Sequence, residues 1–122
     1  MAASQGMIIL AIFACLASVA FCILGTATYY DIYFPSACYG YEDHGRMIAA
    51  ASPDIFQNRA ACGRMYIVRC VNSPACRAGS VTVQVVDLCP GCPRNAFDLS
   101  LEAFSIIADP AAGRIPIDYN QA

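Results

Sequence analysis

The sequence predicts a small all-β domain whose short strands close into a barrel held together by disulfide bonds. Three observations support this class. Short apolar or alternating segments recur along the chain and end at Pro, Gly or Asn. Little of the chain has helical spacing. Cysteine is abundant, with eight residues in a chain of 122. Short strands at regular intervals with little helix are typical of a small closed barrel.

The chain begins with a long apolar segment, and its first charged residue is Asp31. This pattern predicts a signal peptide over residues 1–25, followed by one secreted domain over residues 26–122. Small residues follow the apolar run and no basic cluster does, which favours cleavage. The run is almost long enough to span a bilayer and has no basic residue before it, so a retained signal anchor is the alternative.

Six cysteines remain once the leader and its two cysteines are removed. An even number in a short exported chain predicts a disulfide framework in an oxidising compartment, with fifteen possible pairings. Such bonds compensate for the small core of a domain of about 100 residues. The six are Cys38, Cys62, Cys70, Cys76, Cys89 and Cys92.

The charged residues exclude several classes of function. The chain has seven arginines, nine acidic residues and no lysine, so its net charge is −2. A nucleic-acid-binding protein needs a basic surface, which this balance does not provide. A lysine nucleophile or Schiff base is excluded as well. We expect no cofactor and no metal.

The strands are predicted from apolar periodicity. In the first segment, Thr28, Tyr30, Ile32 and Phe34 fall on one face, and aromatic residues occur on both faces. The fourth segment is apolar on both faces, as in a strand packed on both sides. In chain order the predicted strands span residues 26–34, 47–52, 65–70, 80–88 and 115–119.

Two helical segments are predicted between these strands. Ser52 followed by Pro53 is typical of a helix start and predicts a single turn. Ser100 is placed to cap a second helix, in which Leu101, Phe104 and later apolar residues recur at helical spacing. Pro110 ends this helix.

The stretch from residue 80 to residue 109 carries most of the candidate chemistry. The strand at 80–88 delivers Asp87 to its end, and a Cys-Pro-Gly-Cys turn at 89–92 leads back to Asp98. We therefore expect the two carboxylates to lie beside one loop. The Cys-x-x-Cys spacing also suggests a redox pair, or a zinc site with His44, but two prolines and an exported chain favour a structural disulfide.

Several motifs in order resemble a known family. They are GTATYY at 25–30, NRAACGRMY at 58–66, SVTVQVVDLCPGC at 80–92 and FDLSLEAFSIIADPAAGRI at 97–115. Together they resemble the plant endoglucanase-45-like domain proteins, a group that includes plant natriuretic peptides and the citrus blight-associated protein. The resemblance implies a six-stranded double-psi β-barrel with one or two short helices, as in the first domain of expansins and in family-45 glycoside hydrolases.

The resemblance also implies site residues. Asp98 matches the general acid of the hydrolases, and Asp87 matches an aspartate at the end of the preceding strand in expansins. Thr28 and Tyr30 match a motif that lines the same groove, and Tyr29 falls on its aromatic position. Tyr29 and Tyr30 are therefore the candidates for contact with a glycan. The alternative for Asp98 is that it accepts amides of the turn before the helix.

The resemblance also implies how the cysteines pair. This chain differs from expansins in two respects. Expansins carry an aromatic or charged loop where this chain has the cysteine turn, and we expect no carbohydrate-binding second domain here. The implied pairs are Cys38 with Cys62, Cys70 with Cys76, and Cys89 with Cys92.

Hydrolysis with inversion requires a base as well as an acid. Asp31 is the one candidate base, and its alternative is an exposed carboxylate at a strand end. We therefore expect a non-hydrolytic monomer, secreted into the apoplast and no longer membrane-bound after leader removal. The resemblance implies a role in water and solute homeostasis or stress signalling through a cell-surface receptor. The alternative is a protein that binds or loosens a cell-wall polysaccharide. A family-45-type endoglucanase is the third possibility.

Overall fold

The computed structural model describes residues 22–122 and shows six strands closed into a barrel. Around the barrel the order is β1-β5-β2-β4-β3-β6, with β1–β5 and β2–β4 parallel and the other four pairs antiparallel. The predicted all-β, six-stranded barrel is confirmed. The strands are β1 (Ile23–Tyr30), β2 (Ile48–Ala51), β3 (Met65–Cys70), β4 (Val81–Leu88), β5 (Ala96–Ser100) and β6 (Ile115–Gln121).

Two short α-helices and one 3-10 turn connect the strands. They are α1 (Pro53–Phe56), α2 (Leu101–Ile107) and the 3-10 turn Pro110–Ala112. The Ser100 Oγ accepts from the Ala103 amide at 3.0 Å, as expected of a helix cap. The Ser52 Oγ instead accepts from the Ala96 amide, so it joins α1 to β5 rather than capping α1. Within residues 22–122, no helix has the length and apolar character needed to cross a membrane.

The first strand differs from its prediction at both ends. It was expected over residues 26–34, but β1 spans Ile23–Tyr30. Beyond Tyr30 the chain leaves the sheet, and Ile32 is 79% exposed although its apolar character suggested an inward position. The aromatic residues past the strand end are Tyr33 and Phe34. They pack in a separate small cluster with Val86 and do not continue the sheet.

The leader prediction lies mostly outside the described residues. Ile23 and Gly25, at the end of the predicted leader, pair in β1 with Tyr119 and Ile117 of β6. The position of cleavage stays a prediction.

The core is built around three aromatic rings inside the barrel. Phe97 is fully buried, and its ring centre lies 5.2 Å from that of Tyr66 and 5.0 Å from that of Tyr119. Aliphatic residues from every strand fill the space around them. Phe104 of α2 is also fully buried, so this helix closes the barrel at the end where β5 finishes.

Three disulfides join the loops to the barrel, and they form the same pairs that the family resemblance implied. Their sequence separations are 24, 6 and 3 residues. The first anchors the loop between β1 and β2, and the third clamps the turn between β4 and β5. The pairs are Cys38–Cys62, Cys70–Cys76 and Cys89–Cys92.

The start of β1 requires glycine at position 25, where β1 passes close to β5. A Cβ added there would lie 1.8 Å from the Asn95 carbonyl oxygen, so the backbone would have to shift. In protein that retains residues 22–122, we expect Gly25→Ala to lower the free energy of unfolding by about 2 to 3 kcal/mol, the upper part of the range for overpacking. Urea unfolding at equilibrium measures this difference.

Gly91→Ala is the matched control because an added Cβ at Gly91 meets nothing within 4 Å. Its free energy of unfolding should stay within about 0.5 kcal/mol of the wild-type value or rise slightly. Equal losses in Gly25→Ala and Gly91→Ala would show that the close approach between β1 and Asn95 does not limit the fold.

Candidate functional site

Strand register places the main candidates in one row across four strands. Thr28 of β1 is opposite Asp98 of β5, Asp98 is opposite Ala50 of β2, and Ala50 is opposite Asp87 of β4. Residues opposite each other in a sheet point to the same face. Thr28, Asp98 and Asp87 therefore share one face, with one strand between the two aspartates. At about 4.8 Å per strand, their Cα atoms are about 10 Å apart.

A β-bulge brings Asp87 into this row. The pairing of β2 with β4 shifts by one residue between Ala49 and Ala50, because Ala49 is opposite Val85 and Ala50 is opposite Asp87. The extra residue, Val86, is buried with Tyr33 in a small outer cluster. Bulges of this kind redirect a side chain to the other face. Here the bulge turns Asp87 toward the face that carries Asp98.

Asp98 is the half-buried acid of the row. Its Oδ1 accepts a hydrogen bond from the Thr28 hydroxyl at 2.9 Å. Burial raises the pKa of Asp98, and the charge of Asp87 raises it further, while the Thr28 bond opposes the shift. A carboxyl group with a raised pKa is suited to donate a proton or to bind a sugar hydroxyl.

Tyr30 lies on the same face of β1 as Thr28, two residues further along. Its hydroxyl is buried and has no hydrogen-bond partner within residues 22–122. Burial raises the pKa of Tyr30, and the charges of Asp87 and Asp98 raise it further, so the hydroxyl keeps its proton. A buried polar atom without a partner is rare and costly. Thr28, Tyr30, Asp87 and Asp98 form what we call the aspartate–tyrosine cluster.

Tyr33, one of several tyrosines clustered early in the chain, supports this cluster although it was not a predicted site residue. Its ring lies 5.2 Å from the Tyr30 ring, edge to face, and its hydroxyl donates to Glu102 at 2.6 Å. Burial, together with the Glu102 bond, raises the pKa of Tyr33 to about 12. No sequence signal marks this role, because Tyr33 comes to Tyr30 only through the loop that leaves the barrel.

Asp87 holds the loop beside the cluster. Its Oδ1 accepts from the backbone amides of Ala37 and Leu88, at 2.8 and 2.9 Å. Arg59 also donates to the Ala37 carbonyl, at 2.6 Å, and the Cys38 disulfide fixes the same loop. The amide-holding role considered for Asp98 therefore belongs to Asp87.

Three other candidates lie apart from the cluster. Tyr29 points to the opposite face of β1 from Thr28 and Tyr30, and its ring packs 4.9 Å from Phe104 of α2. Tyr29 therefore does not share the face of Thr28 and Tyr30, because successive strand residues face opposite sides, and its contact with a glycan stays a prediction. Asp31 is exposed and forms no bond to the cluster in the described part of the chain.

His44, the histidine considered for a zinc site, is half-buried and contacts two neighbours in its loop. Its ring stacks on Tyr39 with centroids 3.8 Å apart, and its Nε2 lies 3.0 Å from Glu42. Cys89 and Cys92 are joined to each other, which leaves neither thiolate for a zinc ion. Both the redox pair and the Cys–His zinc site were alternatives to a structural clamp, and the disulfide corresponds to the clamp.

A small cavity of about 170 Å³ adjoins Thr28. The Cys89–Cys92 turn forms one wall, and Arg114 and Phe97 contribute to the rest. This turn replaces the aromatic or charged loop expected from expansins, and it gives the groove next to the cluster a rigid, compact edge.

Comparison with known proteins defines the family. Residues 48–119 match the double-psi β-barrel family model DPBB_1, which is described as lytic transglycolase. An EG45-like domain containing protein of Citrus jambhiri is 48% identical over 114 residues, covering 88% of this chain and 87% of the relative. The chain belongs to the EG45-like double-psi β-barrel proteins.

Solved structures place this EG45-like protein beside expansins. The apo expansin of Clavibacter michiganensis superposes with a TM-score of 0.71 at 34% identity, covering 83% of this chain. A point mutant of the same expansin in complex with cellohexaose gives 0.64 at 31% identity and the same coverage. The EG45-like chain spans half the length of each expansin chain.

The raised pKa of Asp98 predicts how stability depends on pH. The folded protein holds this proton more tightly than the unfolded chain, so stability falls as the pH rises from the ordinary pKa of 3.8 through the raised one. Asparagine keeps an acceptor for Thr28 but carries no charge. We expect Asp98→Asn to raise the free energy of unfolding at pH 7 by about 0.5 to 1 kcal/mol.

Urea unfolding at pH 7 and at pH 2.5 tests this expectation. The difference between Asp98→Asn and the wild type should vanish at the lower pH, where both side chains are neutral. A difference of the same size at both pH values would contradict the assignment of a buried charge to Asp98.

Proposed function

We propose that this EG45-like protein acts outside the cell as a non-hydrolytic, expansin-like domain whose aspartate–tyrosine cluster binds a neutral β-glucan of the cell wall. The observation that carries the proposal is the half-buried Asp98, which accepts from the Thr28 hydroxyl and lies on the same face as Tyr30. A sugar hydroxyl donates and accepts hydrogen bonds, so one glucan unit can bond to the Asp98–Thr28 pair. The cellohexaose complex of the related expansin is consistent with a ligand of this class.

The arrangement of carboxylates supports binding rather than hydrolysis. Asp98 has the character of an acid, but inverting hydrolysis also needs a base that activates water. Asp87 is engaged by two backbone amides that it holds in place. Asp31 is exposed and separate from the cluster. Asp87 is therefore the described carboxylate whose charge acts on Asp98, and its Oδ1 is committed to the backbone rather than to a water.

Secretion to the apoplast is part of the proposal. Three disulfides in one small domain require an oxidising compartment to form and persist. The apolar leader predicted over residues 1–25 provides the export signal.

A cellohexaose experiment tests binding and cleavage together. The secreted protein is titrated with cellohexaose by calorimetry, and the oligosaccharide is then analysed by mass spectrometry after long incubation. We expect binding that weakens at least about tenfold in Asp98→Asn, because the variant replaces a charged acceptor by a neutral amide. The mass of cellohexaose should not change.

Asp31→Asn is the matched control, since it removes the same charge at an exposed position. Its binding should equal that of the wild type. Cleavage products that disappear in Asp98→Asn would overturn the non-hydrolytic assignment, and their loss in Asp31→Asn as well would identify the base.

The second candidate is an extracellular signal in water and solute homeostasis or stress, acting through a cell-surface receptor. This role is what the resemblance to plant natriuretic peptides implies, and the chain matches 87% of the citrus EG45-like protein but half of the expansin. Addition of the protein to protoplasts, with cell volume as the readout, tests this role. A volume change that persists in Asp98→Asn, without glucan binding by the wild type, would favour signalling over glucan binding.

A further inference from the structure

A second and larger cavity lies at the barrel end where β5 begins and β6 finishes. Its volume is about 640 Å³, within the usual range for small-molecule sites. None of the four residues of the aspartate–tyrosine cluster lines it. The proposed glucan site therefore does not account for this cavity.

The floor and one wall of the cavity are rigid. Tyr66 and Tyr119 form the floor, and both rings are locked against Phe97 in the core. The Tyr119 hydroxyl donates to the side-chain Oδ1 of Asn95 at 3.0 Å. The backbone N–H of Asn95 donates to the Asp54 carboxylate at 3.0 Å. With Oδ1 occupied, the side-chain NH₂ of Asn95 is left as a donor for a ligand.

Two arginines give the cavity a positive charge. Arg64 donates one hydrogen bond, to Gln57 at 3.2 Å, which leaves most of its guanidinium donors unused. Arg94 is exposed and forms no hydrogen bond or ion pair within the described residues. Both line the cavity, whereas the whole chain carries a net charge of −2. Positive charge is thus concentrated at one place on an acidic protein.

Among residues 22–122, Asp54 is the only acidic residue that lines this cavity. Burial acts to raise its pKa, but hydrogen bonds from Ser52 and the Asn95 amide, together with the Arg94 charge, more than offset burial, so its pKa is lowered. Asp54 is therefore ionised and already engaged by the backbone. The cavity as a whole keeps an excess of one positive charge.

We propose that this cavity binds a hexuronate residue, a sugar ring that carries a carboxylate, as found in acidic polysaccharides. A guanidinium fork matches a carboxylate with two parallel hydrogen bonds. The Asn95 side-chain amide lines the same cavity and is left to donate to a ring hydroxyl. The protein then has two separate sites, one for neutral glucan and one for acidic glycan, and bridges the two polymers.

Calorimetric titration with tetragalacturonate tests the proposal, with its fully methyl-esterified form as the uncharged ligand. We expect the acid to bind and the ester to bind at least about tenfold more weakly, because the ester loses the charge-assisted bonds. Arg94→Gln and Arg64→Gln should each weaken binding of the acid by a similar factor. Arg94 is exposed, so its variant is expected to fold even if Arg64→Gln does not.

Two control variants separate this site from the rest of the protein. Arg114→Gln removes the same charge outside the cavity and should bind tetragalacturonate as the wild type does. Asp98→Asn should also bind it normally, and Arg94→Gln should bind cellohexaose normally, so each site can fail without the other. Absence of binding at millimolar ligand, equal binding of the ester, or equal weakening in Arg114→Gln would overturn the proposal.

Discussion

Replacing Phe97 with alanine is expected to lower the free energy of unfolding by about 3 to 5 kcal/mol. Phe97 is fully buried at the centre of the barrel and touches the rings of Tyr66 and Tyr119. Truncation removes the transfer free energy of the ring and leaves a cavity between two aromatic neighbours that strands β3 and β6 hold in place. Equilibrium unfolding in urea, followed by tyrosine fluorescence and circular dichroism, measures the loss.

Ile32→Ala is the control for this prediction, because it truncates a large apolar residue that is 79% exposed. Its free energy of unfolding should change by less than about 0.5 kcal/mol. A large loss in Ile32→Ala, or a small loss in Phe97→Ala, would mean that the first strand continues past Tyr30 and that the core is elsewhere.

Removing the Cys38–Cys62 disulfide is expected to cost about 3.5 kcal/mol, measured as the difference in urea unfolding between the wild type and the double alanine variant. This bond joins residues that are 24 positions apart in the sequence. In the chain-entropy description, closing so long a loop strongly reduces the conformational entropy of the unfolded chain. The bond also fixes the loop that Asp87 and Arg59 hold beside the cluster. We therefore expect this variant to lose glucan affinity as well as stability.

The Cys89–Cys92 pair provides the comparison, since it closes a loop of only three positions. Its double alanine variant should lose about 2 kcal/mol. If this variant lost more stability than the one lacking Cys38–Cys62, loop length would not be what sets the contribution of these disulfides.

Much of the barrel was predictable because its strands follow simple apolar patterns. The strands at 65–70, 80–88 and 115–119 alternate residues between core and surface, and they lie where the pattern placed them. Strand β5 was read only as a returning segment, because the alternation of Phe97, Asp98 and Leu99 is short and runs directly into the helix at Leu101. Such a strand becomes evident only when its neighbours on both sides are known.

The site was predictable in its residues but not in its geometry. Asp87 and Asp98 were named from the strand and turn pattern and Thr28 from the family resemblance, and the register brings all three to one face. The bulge at Ala50 that turns Asp87 to this face leaves no mark in the sequence. The opposite direction of Tyr29 was available from strand alternation alone, since Thr28 and Tyr30 flank it.

The cavity with Arg64 and Arg94 was beyond the reach of the sequence. Its walls come from segments next to β1, β3, β5 and β6, and each segment taken alone reads as an ordinary strand end or turn. Only the closure of the barrel brings the two arginines together over Tyr66 and Tyr119. Sites assembled at a barrel end depend on long-range pairing, which local patterns do not contain.

The central claim is that a neutral glucan binds at the aspartate–tyrosine cluster. The most direct test is a titration of the ¹⁵N-labelled protein with cellohexaose, followed by amide chemical shifts. We predict saturable shifts at Thr28, Tyr30 and Asp98 and in the loop around Ala37, with the amides around Arg94 unchanged. Shifts confined to the cavity around Arg94, or no shifts at millimolar cellohexaose, would contradict the account.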